Sequence, residues 1–237
     1  MRTANPALNK NSFANMNLNA NEKMTLNGTV NKAFFMLMIL LLPAGYVWSR
    51  VMSGDSSTVG IFMIGGLIGG LIMALITIFK KKWSPFTAPT YAFLEGLFLG
   101  GLSAMMEMQF PGIVLQAVAL TFGTLFSLLF AYKSGLIKVT ENFKLGIIAA
   151  TGGIAMIYIA SMVMGIFGFN IPYIHESGLI GIGFSLFVVV IAALNLVLDF
   201  DFIENAVEKG APRYMEWYGA FGLMVTLVWL YIEILRL

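Results

Sequence analysis

Residues 59–82 read VGIFMIGGLIGGLIMALITIFKKK, an uncharged run from Val59 to Phe79 closed by Lys80, Lys81 and Lys82. About 20 predominantly apolar residues make a helix long enough to cross the hydrocarbon core of a bilayer. The lysines belong with headgroups and water, so they mark where the chain leaves it. Working outward, six further apolar segments emerge, at 33–49, 89–106, 112–132, 145–169, 178–198 and 215–235. The segment at 89–106 is the shortest and carries an internal acid, Glu95.

Composition agrees with this reading. Of 237 residues, 59% are hydrophobic and only 11% charged. A soluble domain carries roughly 25% charged residues to hydrate its surface. A chain this poor in charge must face lipid, and the expectation is an all-α polytopic membrane protein, a bundle of seven transmembrane helices. Residues 1–31, with nine asparagines, read as a polar cytoplasmic arm, and 32–237 as a single transmembrane domain. The arm has no signal-peptide core, so the first span acts as its own insertion signal.

The connections predict orientation. Arg2, Lys10, Lys23 and Lys32 precede the first span; Lys80, Lys81 and Lys82 follow the second. Lys133, Lys138 and Lys144 follow the fourth, and Lys209 and Arg213 the sixth. The alternate connections hold Arg50, Asp55, Glu107, His175 and Glu176, and Arg236 ends the last span. Twelve of the fourteen basic residues thus share one side if seven spans are counted. Basic loops face the cytoplasm, which places the N-terminus inside and the C-terminus outside a cell membrane.

Gly65 and Gly69, Gly66 and Gly70, and Gly96 and Gly100 are paired at four-residue spacing. Small residues on one helix face let helices approach closely in lipid, so these pairs predict packing seams. Pro111-Gly112 predicts a tight turn, making the third and fourth spans an antiparallel hairpin. Trp48, Trp83 and Trp217 fall near span ends, where an indole suits the headgroup layer.

Chemistry is sought among ionisable groups inside the spans, which are costly in lipid and usually face a cavity. Glu95 lies in the third span. Asp199 and Asp201 close the sixth, followed by Glu204, and Glu216 opens the seventh. Their positions put acids from three helices at a similar depth on the basic side. Asn195 and Asp199, four apart, share a helix face, whereas Asp201 lies about 200° round from Asp199. Asp199 is therefore expected to point inward and Asp201 toward the interface or a loop. No lysine or arginine lies in the spans of Glu95 and Asp199. A buried carboxylate in that situation holds a proton, shares one or binds a cation. For Glu204 and Glu216, capping or headgroup contact is the plainer reading. Gln116, Thr226 and Glu233 read as helix-to-helix hydrogen-bond groups.

Enzymatic readings fare poorly. A single histidine, His175, and no cysteine exclude multi-histidine and thiolate metal sites. The Gly-rich runs lie inside apolar spans, where they cannot cradle phosphates. A net charge of +2 gives no case for nucleic acid.

The stretches LDFDFIE (198–204) and Glu216-Trp217-Tyr218 resemble the C-terminal signature of the Bax-inhibitor family. MTLNGTVNK (24–32) and YAFLEGLFLG (91–100) are similar to its bacterial, YccA-related Bax inhibitor-1-like branch. The resemblance implies one central helix surrounded by six, a pH-sensitive calcium leak as activity, and, in bacterial members, association with a membrane protease. It also implies a proton-sharing pair of aspartates on the last two helices. Asp199 matches the first, but Thr226 stands where the second is expected. Together these readings predict a cation-conducting or cation-sensing bundle. Protons and calcium would be its ions, Asp199 and Glu95 its calcium candidates, and Asp201, Glu216 and Asn195 the groups beside them, with no bound cofactor and no enzymatic activity. The rival expectation is a non-conducting regulator of a membrane protease or another membrane complex.

Overall fold

The computed structural model describes residues 23–54, 58–167 and 178–237. Residues 1–22 of the polar arm, together with Asp55, His175 and Glu176, lie outside the described residues. The described chain forms seven α-helices: α1 (Leu26–Met52), α2 (Val59–Phe79), α3 (Ser84–Gln109), α4 (Ile113–Lys133), α5 (Glu141–Ile166), α6 (Leu179–Glu208) and α7 (Met215–Arg236). A single 3-10 turn, Lys81–Trp83, joins α2 to α3. The all-α, seven-helix expectation stands.

Local chemistry explains where the helices begin. Thr25 caps α1, its hydroxyl accepting from the Gly28 N–H at 3.0 Å. Helix α1 therefore starts well before residue 33, where hydropathy placed it. Its first turns carry no continuous apolar run, yet a side-chain cap satisfies an otherwise orphaned N–H there. Thr140 caps α5 in the same way through the Phe143 N–H, at 3.2 Å. The expected hairpin turn lies between α3 and α4, where Gly112 adopts φ of 90°, a left-handed conformation that glycine tolerates best. The carboxylate of Glu107 reaches over this turn and accepts from the N–H groups of Gly112 at 2.7 Å and Val114 at 3.1 Å. An acid at a helix start is favoured by the exposed N–H groups and the helix dipole.

Six of the seven helices are long and apolar enough to cross a membrane. The exception by composition is α3, which carries Ser84, Thr87, Thr90, Tyr91 and Glu95 along its first half. Its position explains why that is tolerated: α3 packs between α1 and α2 and also touches α7, so much of its surface meets protein rather than lipid. Helix α7 is the most enclosed, packing against α1, α3, α4 and α6. The main core runs along it, through Met215, Tyr218, Phe221 and Met224, against Phe202 and Ile203 of α6 and Tyr91 of α3. The Tyr91 and Phe221 rings meet edge to face, with centroids 5.1 Å apart.

Five of the six paired glycines line helix contacts. A Cβ on Gly66 would lie 2.5 Å from the Leu94 carbonyl oxygen, and one on Gly70 would lie 3.0 Å from Glu95 Oε2, so α2 rests on α3 along these two. A Cβ on Gly96 would strike the Leu40 carbonyl and Pro43, and one on Gly100 would strike Ala44, so the opposite side of α3 holds α1. A Cβ on Gly65 would meet nothing within 4 Å among the described residues. Val at Gly66 or Gly96 is accordingly expected to destabilise the purified protein by at least about 1–3 kcal/mol through overpacking, or to prevent its accumulation in membranes. Val at Gly65 should stay within about 0.5 kcal/mol of wild type; thermal unfolding in detergent compares the three.

Candidate functional site

The basic connections converge at one end of the bundle. Met24 donates its N–H to the Ala211 carbonyl at 2.7 Å, and Lys23 forms an antiparallel bridge with Pro212. The Ser84 hydroxyl donates to the Tyr214 carbonyl at 2.9 Å. The start of α1, the α2–α3 corner and the α6–α7 turn are thereby knitted together. The seven-span count required that convergence.

Glu216, in the first turn of α7, is buried beneath this knot. Its Oε1 accepts from both the backbone N–H and the hydroxyl of Thr25, each at 2.9 Å, and its Oε2 pairs with the Lys32 ammonium. Gly28 lies so close to the carboxylate that a Cβ there would overlap it. Lys32 also sits 5.5 Å from the centroid of the Trp217 ring, itself edge-on to Phe35. Cap, cation and glycine all come from the motif at 24–32, so the family-like stretches at 24–32 and 216–218 meet in space.

Asp199 is completely buried, at 0% exposure, on the bundle side of α6. Asp201, two residues on, lies at the rim, where its Oδ2 pairs with Lys144 Nζ at 2.8 Å. Lys144 is itself buried at the start of α5, and a second, longer contact joins it to Glu141 at 3.6 Å. Asn195 is buried one turn from Asp199. Its side-chain amide donates to the Thr151 hydroxyl of α5 at 2.9 Å and to the Ile191 carbonyl at 2.8 Å. Glu204, more exposed, accepts from the Tyr132 hydroxyl of α4.

Glu95 is 8% exposed on the α2–α3 seam, facing Gly70, and no lysine or arginine pairs with it among the described residues. Thr226 is buried on α7, with its hydroxyl donating to the Gly222 carbonyl of the same helix at 3.3 Å. Glu233 is buried and links α7 to α5, accepting from the Tyr158 hydroxyl at 2.8 Å and from Arg236 at 2.9 Å.

Two corrections follow. The acids are not uniformly without balancing cations, because Lys32 and Lys144 reach in from helix starts to hold Glu216 and Asp201. Nor do they form one cluster: Glu95 belongs to the α2–α3 seam, Asp199 to α6, and Glu216 to the α1–α7 junction. Among the described residues no group of three acidic, histidine or cysteine side chains is placed to hold a metal ion together.

Several participants were missed by sequence reasoning. Lys32 and Lys144 looked like ordinary loop lysines, and Gly28 like a residue of the arm. Tyr218 is fully buried, yet its hydroxyl has no hydrogen-bond partner among the described residues. The Lys81 ammonium lies 5.5 Å from the Tyr218 ring centroid, and burial pulls it below the usual lysine range.

A family model described as Bax inhibitor 1 like matches residues 5–237 of the chain. No curated protein and no solved structure matches it.

Removing one partner of a buried ion pair costs about 3–5 kcal/mol, because the other charge is left uncompensated. Lys32→Met is expected near the lower figure, since Lys32 keeps some contact with solvent. The double variant Lys32→Met/Glu216→Gln should recover much of the loss. Equal stability of the single and double variants in detergent unfolding would count against the pair.

Proposed function

This chain belongs to the Bax inhibitor 1 like family, and on that footing we propose that it passes cations, calcium foremost, through its helix bundle under control of pH. The protein is a multi-pass membrane protein with several apolar helices. The observation that carries the proposal is Asp199, an acid enclosed completely at 0% exposure on the inner face of a membrane-spanning helix. Ionisable groups at such depth are expensive and point to ion or proton pathways. Glu95, buried without a basic partner among the described residues, supports the same reading from another seam.

The division of the acids suggests how control works. Glu216 and Asp201 are held by Lys32 and Lys144 at the basic end and act as clasps that keep this end closed. On this proposal the ion meets Asp199 and Glu95 once the clasps part. Calcium takes six to eight oxygen ligands at rest. A leak needs no resident cage, only a succession of oxygens such as Asp199, Glu95 and neighbouring carbonyls. Thr226 supplies a hydroxyl where relatives of this kind are expected to carry an aspartate, so a two-carboxylate proton pair would have to form with a different partner. By the basic-loop rule the clasped end faces the cytoplasm, in a bacterial inner membrane.

A second reading rests on the same closed end. Bridges from Lys23 and Met24 to the α6–α7 turn, with two ion pairs beneath, make a firm platform. A non-conducting regulator of a membrane protease would use such a platform, and residues 1–22, as its contact surface. Deleting residues 1–22 should abolish that function and leave conductance intact.

Calcium flux into proteoliposomes separates the readings directly. Wild type is expected to conduct with a dependence on pH that Asp199→Asn flattens, and Glu95→Gln is expected to change the rate. Thr226→Asp should shift the pH dependence by giving α7 a second carboxylate. Identical flux and pH profiles in wild type, Asp199→Asn and Glu95→Gln would discard the conducting role.

A further inference from the structure

In the half of the bundle away from the basic loops, α1 and α4 share at most a marginal contact. A cavity of about 280 Å³ opens between them, floored by α3 and α7. Leu41 and Val118 at its mouth are 50% and 37% exposed, and a Cβ on Gly45 would meet nothing within 4 Å among the described residues. The cavity is therefore continuous with the lipid-facing surface.

We propose that this cleft is a binding site for one acyl chain of a bilayer phospholipid, seated between α1 and α4 against the central helix. The chemistry of the walls selects hydrocarbon. Ser103 and Tyr231 line the cleft but hydrogen-bond each other at 2.7 Å, and the Thr121 hydroxyl donates to the Ala117 carbonyl of its own helix at 2.7 Å. A water needs two to four polar partners to settle in a cavity, and apolar cavities stay dry or take apolar guests. Among the described residues no charged side chain lines the cleft, so a permeating cation finds no ligand among them either.

Length supports the same occupant. The lining runs along α1 from Leu37 to Trp48, about 16 Å at 1.5 Å per residue. One leaflet of hydrocarbon is roughly 15 Å thick, half of a core of about 30 Å. The cleft thus spans one leaflet from the headgroup level inward, the reach of a single acyl chain. Its floor includes Met224 and Val228 of α7, so the chain would touch the helix on which the core is built.

Native mass spectrometry of the full chain, released from mild detergent, reads the site out. Wild type should retain one phospholipid per protein. Gly45→Leu combined with Val118→Phe fills the cleft and should lose it, whereas Gly65→Leu, on the lipid-facing side of α2, should keep it. Equal retention in all three proteins overturns the assignment, and so does absence of retained phospholipid from wild type. Trp48 gives a second reading should the filled variant fold poorly. In a protein carrying Trp83→Phe, Trp217→Phe and Trp229→Phe, bromine-labelled phosphatidylcholine titrated at trace levels into detergent should quench Trp48 saturably. Saturation is expected near one lipid per protein; quenching that only grows linearly with added lipid contradicts the site.

Discussion

A carboxylate carried into a hydrocarbon-thick slab has few resting places, and the architecture of this protein is arranged around that constraint. Water is distant, so the group must find a cation, a set of N–H donors or a proton. Glu216 is met by Lys32 and two donors from Thr25. Asp201 is met by Lys144, and Glu233 by Arg236 and Tyr158. Each of these contacts joins two different helices or the two ends of one last turn. Satisfying the acids therefore also fixes how α1, α5, α6 and α7 stand relative to one another.

The remaining contacts are made by close approach rather than by charge. Without a hydrophobic force between helices in lipid, association relies on packing and hydrogen bonding. Helix α3 shows the result: Gly96 and Gly100 receive α1 on one side, and α2 brings Gly66 and Gly70 to the other. Enclosure on two sides lets α3 carry hydroxyls and Glu95 that a lipid-facing helix would not. Helix α7 reaches the centre differently, with large side chains such as Tyr218 and Phe221 filling the space between its neighbours. A bundle built this way leaves a gap where two helices share no glycine seam, and the cleft between α1 and α4 is such a gap.

Much of this was legible in the sequence. Apolar run lengths marked seven helices because the bilayer imposes a length, and lysine-rich connections predicted their convergence because charge must leave the hydrocarbon. The two-residue offset between Asp199 and Asp201 predicted different environments from helix geometry alone, with Asp199 inward. Pairing was not legible. Lys32 and Lys144 lie 184 and 57 residues from the acids they hold, and nothing local to either lysine signals a partner. Nor could spacing distinguish Gly65 from Gly66, since both repeat at four residues and only packing decides which faces α3. The early start of α1 was hidden for a similar reason: residues 26–31 carry no continuous apolar run, and their helix depends on a Thr25 cap held in place by α7.

The central claim is that neighbouring acids on α6 occupy opposite environments, Asp199 sealed within the bundle and Asp201 and Glu204 at its basic rim. The chain has no cysteine, so single cysteines report accessibility without background. In proteoliposomes, a membrane-impermeant thiol reagent should label Glu204→Cys readily, Asp201→Cys more slowly and Asp199→Cys slowest by orders of magnitude at neutral pH. Labelling of Asp199→Cys as fast as that of Asp201→Cys would contradict the account.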